Sequence, residues 1–514
     1  MRKVVALLSL VALLNSCASI LNSRYQNVAI ITESGNKILI DGKEPEVKNN
    51  KYRIRRDAKP KQVTIVKEGH KEDKFILMQN RRSYLYTFSV IPFGVLLYPM
   101  VTDRFPKAYN YPKTIDANSS LIPSIKKKES YKNIHLNKVA LDIKPEDLRV
   151  TRQPYDQFQD KKDVAYNIDL DENIGLRLEN TLFTLLLNET LAKNGFIDTT
   201  NRVLKGAYLN NLMVNATITK ATFNEVVANS YALKNYYNHR MIYADMVIKW
   251  EVLDYFQQPI YSSEIKSLSG QYHFNNTDTV LSAVIKDAIE ANFFEFMNSK
   301  KVIELLEDNS QLEIEKNLEA KVLPGPESYA DNLSSAVKAS VTIRNKRGHG
   351  SGFFITNQGH IVTNYHVVSD TSNLKVVLNN GMELPTKVLR VSKIHDLALL
   401  KIDEKNDFAF RLEENKNFEI GSDIYAIGTP SAEDLSQTLS KGVISGFRKL
   451  GENSSLIQTD ASINSGNSGG VITDKDGNVV GVVSSKLKGF GIEGVAFCIP
   501  TQEVLEALKL KINK

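Results

Sequence analysis

Eighteen of the 27 glycines in this chain of 514 residues lie beyond residue 331, closely spaced among runs of Val, Ile and Thr. Short strands joined by tight turns need that composition, because glycine alone enters left-handed backbone without steric cost. The last third is therefore predicted to be all-β and barrel-like, with about a dozen candidate strands between Ala336 and Ile499. A terminal helix is predicted from Thr501 to Ile512.

The rest of the chain is too long to share that core, and its length corresponds to about three domains. An apolar fraction of 42% and a charged fraction of 24% are ordinary for globular protein. A net charge of +6 is weak on this length and does not argue for nucleic acid. No phosphate-binding loop, zinc-ligand spacing or paired-carboxylate motif stands out, so no cofactor, metal or nucleic-acid partner is predicted.

Three segments of the β-rich region carry chemistry. They are Thr363-Asn364-Tyr365-His366-Val367-Val368, Ile394-His395-Asp396-Leu397-Ala398-Leu399 and Gly466-Asn467-Ser468-Gly469-Gly470. A serine hydroxyl is a poor nucleophile near neutral pH and needs a base to take its proton during attack. His366 fits that role, Asp396 can orient its ring and stabilise the imidazolium, and Ser468 is the nucleophile. A lone His or Asp in such a region is more often structural, but three motifs in this order reverse that balance. His395 is the rival histidine. Strand alternation would turn its ring away from Asp396, and it lacks the Thr-Asn-x-His-Val-Val setting. His349 and His360 lie in glycine-flanked turns and are predicted to face solvent.

The order His, Asp, Ser and the wording of the motifs resemble the HtrA/DegP group of trypsin-fold serine proteases over roughly the last 180 residues. The resemblance implies two six-stranded barrels and a closing helix. It also implies an oxyanion hole formed by the amides of Gly466 and Ser468. Asn467 stands where zymogen-activated relatives carry an aspartate, which implies activation by loop ordering rather than propeptide cleavage. Ser465 and Val471 replace prolines usual in the family and are expected to loosen the backbone around Ser468. Ser462 lies six residues before Ser468, where a trypsin-like enzyme carries a charge-reading aspartate. The neutral residue implies small or medium apolar side chains in the substrate. No PDZ domain is expected after the peptidase domain.

The N-terminus carries a second signal. Arg2-Lys3 precedes an apolar run, Val4 to Leu14, too short to span a bilayer. The run leads into Leu14-Asn15-Ser16-Cys17, which resembles the lipobox of bacterial lipoproteins and implies lipidation of Cys17. Stable anchoring would take two or three acyl chains, at about 0.8 kcal/mol per buried CH₂. With Cys17 lipidated, Cys498 has no cysteine to pair with and reads as a buried small hydrophobe.

The expected organisation is a signal peptide at 1–16 and a small β domain at 17–125. Its strand-Asp-Gly-Lys turn at Ile38 to Lys43 and its Val66-Lys67-Glu68-Gly69-His70 element resemble PEGA domains. An uncharged apolar segment at 84–101 falls within it. An α/β (α+β) domain at 130–308 follows, with helices against an antiparallel sheet. A linker at 309–331 contains Pro324-Gly325-Pro326, and the peptidase domain occupies 332–514.

The functional expectation is an envelope serine endopeptidase, lipid-anchored and facing the periplasm from the outer membrane. It would act on unfolded or exposed polypeptide, and homo-oligomers or envelope partners would engage residues 130–308. The alternative is a lipoprotein scaffold or adaptor that keeps a protease fold for binding.

Overall fold

The computed structural model describes residues 23–57, 60–78, 81–82, 109–117, 121–143, 149–154, 164–167, 180–197, 211–228, 239–254, 257–274, 277–308, 314–315, 317–346, 348–412, 417–430, 435–450, 454–486 and 494–513. The signal peptide, Cys17 and the apolar segment 84–101 lie outside these residues. Among the described residues no helix is long and apolar enough to cross a membrane.

The N-terminal β unit packs two small sheets face to face. Tyr25–Ile31 runs antiparallel to Lys51–Arg55 and parallel to Thr114–Asp116. Lys37–Ile40, Lys61–Val66 and Asp73–Leu77 form the other sheet. Alternate residues face inward, as strand periodicity requires, and Val28, Ile38, Ile54, Val63, Ile65 and Tyr111 make the core. The Asp-Gly signal is a hairpin turn with positive φ at Asp41 (51°) and Gly42 (76°). Ile40 and Lys43 exchange backbone hydrogen bonds across it, as a two-residue turn of this twist demands.

The middle unit is built around a long hairpin, Asn211–Ala228 with His239–Leu253. Its seven-stranded sheet is mixed rather than antiparallel, because Asn133–Leu141 and Arg149–Pro154 both run parallel to the first hairpin strand. Parallel neighbours need a crossover connection, and the helix Asn180–Lys193 lies in it. A second helix spans Thr277–Met297 and buries Val280, Ile285, Ile289 and Phe293 against the sheet. Trp250 is fully buried, stacks on Phe296 with ring centroids 4.7 Å apart and donates its Nε1–H to Asn292 Oδ1 at 2.7 Å. The indole thus keeps a hydrogen-bond partner inside an apolar core.

The last third is all-β, as its glycines require. A first sheet contains β1 (Ser340–Asn345), β2 (Gly348–Phe354), β3 (His360–Thr363), β4 (Lys375–Val377), β5 (Glu383–Pro385), β6 (Lys387–Ser392) and β7 (Leu397–Lys401). Its order is β5-β4-β1-β2-β3-β7-β6, seven strands in an open ladder rather than six in a closed one. The ladder's two outer strands are consecutive in the chain, separated only by Thr386. One bent strand therefore pairs with β4 by its first half and with β7 by its second. The ring is completed by the covalent backbone at that bend.

The second barrel is closed by hydrogen bonds. It comprises β8 (Asp423–Gly428), β9 (Thr438–Leu450), β10 (Ser454–Thr459), β11 (Val471–Thr473), β12 (Val479–Lys486) and β13 (Ala496–Pro500). Pairing runs β8-β9-β10-β13-β12-β11 and returns to β8. The terminal helix is shorter than predicted and covers Thr501–Ala507. Lys509 takes a left-handed backbone (φ 48°) that ends helical progress, and Leu510–Ile512 becomes a strand. That strand pairs in parallel with Lys321–Leu323. Further contacts tie the stretch before the barrels to them: a Tyr329–Ala409 bridge, and Glu327 and Ser328 amides donating to Asn357 Oδ1 at 2.7 and 3.2 Å.

Candidate active site

His366 lies in the short helix Tyr365–Val368, held down by buried Val367 and Val368. Asn345 Nδ2 donates to the Val367 carbonyl at 2.8 Å and pins the helix to β1. Asp396 is not a strand residue. It ends the turn between β6 and β7, with a left-handed backbone (φ 54°) that an L-residue adopts at a cost of about 1–2 kcal/mol. Four contacts over-determine that conformation. The Asp396 carbonyl accepts Asn364 Nδ2 at 2.8 Å and the Tyr365 amide at 3.1 Å. Its carboxylate accepts the His366 amide on Oδ1 at 3.0 Å and His366 Nδ1–H on Oδ2 at 2.7 Å.

A carboxylate accepting from Nδ1 fixes the tautomer. The Asp396 side chain is 5% exposed and that of His366 31%. Burial of the ring pulls the His366 pKa down. The Asp396 charge and hydrogen bond together outweigh this and leave it above the ordinary 6.5.

The segment Gly466–Gly470 leads into β11. Asn467 donates its amide to Asn464 O at 3.1 Å, Gly469 to Val483 O at 2.9 Å and Gly470 to Asn467 O at 2.9 Å. Among the described residues the amides of Gly466 and Ser468 have no acceptor. Gly466 has φ 94°, and a Cβ there would run into the Thr429 carbonyl and lie 2.7 Å from His349 Nε2. Gly469 has φ 83°, and a Cβ there would sit 2.9 Å from the Asn364 amide. The serine loop is thus packed against the start of the histidine turn. Ser468 is half-buried, and its carbonyl accepts the Ser351 amide at 2.8 Å.

The part played here by Ser351 and Thr429 went unnoticed in the sequence. Ser351, fully buried on β2, donates its Oγ–H to Gly466 O at 2.7 Å and accepts the Thr429 amide at 2.9 Å. Thr363 Oγ1 donates to the Ser351 carbonyl at 2.7 Å, so β2, β3 and the serine loop form one hydrogen-bonded unit. The available signals were a serine between glycines in Gly348-His349-Gly350-Ser351-Gly352 and the Thr-Asn pair before His366. His349 is half-buried, with Nε2 3.2 Å from Thr429 O, beside Gly466.

His360 is buried, not solvent-facing: 8% exposed, its Nδ1 2.8 Å from Thr356 Oγ1. His395 lies away from His366 and joins Ser392 Oγ at 3.1 Å to Glu503 at 3.5 Å. Ser465 and Ser462 are exposed. Val471 is fully buried and laddered to β8 and β12, which ties rather than loosens the chain after Ser468. No cluster of metal-binding side chains occurs among the described residues.

A family profile described as Trypsin-like peptidase domain matches residues 350–482. Serine protease Do-like HtrA of Bacillus subtilis is 34% identical over 224 residues, 41% of this chain and 48% of that protein. A probable periplasmic serine endoprotease DegP-like of Bartonella henselae is 38% identical over 170 residues, 32% of this chain and 33% of its own length. The crystal structure of the serine endoprotease from Yersinia pestis aligns with 34% identity and a TM-score of 0.31, covering 36% of this chain and 67% of that one. The chain thus spans less than half the length of these two curated relatives. Residues 350–482 carry a trypsin-like peptidase domain, and over this C-terminal region the chain is similar to serine proteases of the HtrA/DegP group.

Proposed function

We propose that this chain is a lipid-anchored serine endopeptidase of the cell envelope that cleaves unfolded or exposed protein segments. The carrying observation is the 2.7 Å bond from His366 Nδ1 to Asp396 Oδ2, formed beside the loop that bears Ser468. With Nδ1 committed to the carboxylate, Nε2 takes the Ser468 hydroxyl proton as Oγ attacks the scissile carbonyl. Imidazolium builds up next to Asp396 and then returns the proton to the leaving amine. The amides of Gly466 and Ser468 meet the developing oxyanion. Their lack of acceptors among the described residues supports that role, since the other amides of the loop already donate within the chain. Activation proceeds by ordering of this loop, because the uncharged Asn467 cannot make the ion pair that a freed N-terminus would require.

The exposed, neutral Ser462 supports a preference for small or medium apolar side chains. The lipobox-like segment ending at Cys17 supports the anchor, and relatives named as periplasmic support an envelope location. Residues 130–308 are assigned to assembly or to an envelope partner.

Casein hydrolysis and labelling by a fluorophosphonate test the reading. Wild type is expected to do both and Ser468→Ala neither. Wild-type protein that stays unlabelled after addition of unfolded substrate would overturn it. Cys17→Ser is expected to release active enzyme from the membrane fraction.

A further inference from the structure

The turn that presents Asp396 is gripped from outside both barrels. Glu315 lies in the charged stretch ahead of the peptidase domain, yet it is only 8% exposed. Its Oε1 accepts the amides of Lys393 at 2.7 Å and Ile394 at 3.1 Å, and its Oε2 accepts Ser392 Oγ–H at 2.7 Å. Ser392 Oγ in turn accepts the His395 amide at 3.2 Å. One carboxylate therefore organises every residue of the turn from Ser392 to His395, and the next residue is Asp396 in its left-handed conformation. A backbone that costs free energy persists only where its surroundings hold it from both sides. Asn364, Tyr365 and His366 hold Asp396 from one side; Glu315 supplies the other.

We infer that Glu315 is a positioning residue for Asp396, acting through the 392–395 turn and making the segment before the peptidase domain part of its catalytic apparatus. This rests on the reading of Asp396 as the carboxylate that orients His366. Charge-assisted hydrogen bonds are among the stronger intramolecular contacts; a glutamine would keep one uncharged acceptor oxygen for the two amides and would set an NH₂ donor where Oε2 accepts Ser392 Oγ–H. With the turn unclamped, Asp396 relaxes toward ordinary backbone, its carboxylate moves off Nδ1, and His366 loses the charge that raises its pKa.

The test is the rate constant of fluorophosphonate labelling, followed against pH in the full chain. Glu315→Gln is expected to lower the plateau rate about tenfold or more and to shift the acid limb to lower pH, while still melting in one cooperative transition above the assay temperature. Glu315→Asp, which keeps the charge on a shorter arm, is expected to fall between. A global loss of stability would lower the amount of active protein without shifting the limb. If Glu315→Gln does not fold, Ser392→Ala removes one of the three bonds and is expected to shift the limb in the same direction by less. An unshifted limb and rate in whichever of these folds would overturn the inference. Two controls keep its failure distinct from that of the functional reading: labelling that survives Ser468→Ala refutes the nucleophile, and an acid limb unmoved by Asp396→Asn refutes the role of Asp396.

Discussion

Asp396 holds His366 twice: Oδ2 lies 2.7 Å from the ring Nδ1 and Oδ1 lies 3.0 Å from the backbone nitrogen of the same residue. One carboxylate thus sets the rotation of the ring and the position of the turn that carries it. Replacing Asp396 by Asn substitutes a donor for one of these acceptors and favours the wrong tautomer. Casein hydrolysis by Asp396→Asn is expected to fall by about 10³–10⁴. If neutral His366 is the base, as proposed, the acid limb of wild-type activity should lie above the ordinary imidazole value of 6.5, because its pKa is raised. A limb below that value would contradict the geometry.

Gly466 cannot accept a side chain without moving. Its φ of 94° and the Thr429 carbonyl both oppose a Cβ. Gly466→Ala is expected to cost about 2 kcal/mol of stability or more and at least 10² in turnover. Urea unfolding alongside fluorophosphonate labelling separates the two effects.

His360 predicts how the peptidase region responds to acid. Burial, then Lys401 and Lys321, push its pKa down to about 4. The unfolded chain binds a proton there near 6.5, so between about pH 6.5 and 4 unfolding takes up a proton that the native state refuses. Stability therefore declines as pH falls through that window, by a total on the order of 3 kcal/mol. Unfolding free energies of His360→Gln measured between pH 7 and 4 are expected to be flatter than those of wild type.

Cys498 is fully buried on β13 and burial pushes its thiol up to about 12. It should react with a thiol reagent only after unfolding, and its modification rate should track the denaturation curve. Prompt reaction in native buffer would mean that the second barrel opens locally.

Legibility in the sequence followed the range of the interactions. The His366 turn and the glycines around Ser468 are local patterns, so motif reading brought them together. The backbone of Asp396 was missed because strand alternation was extended one turn too far, into residues that precede β7. Glu315 was unreadable, since a carboxylate in a charged stretch looks solvated and its partners lie far along the chain. His360 looked exposed for a similar reason: a glycine-flanked turn says nothing about what packs over it. The apolar spacing that predicted a helix through Ile512 also suits a short buried strand, and only the left-handed Lys509 separates the two.

The pairing of Lys321–Leu323 with Leu510–Ile512 also has a consequence in time. One strand leaves the ribosome long before the other. The β-rich region therefore cannot complete this clasp until residues 510–512 have been made, and chain segments upstream must wait beside an unfinished fold during synthesis.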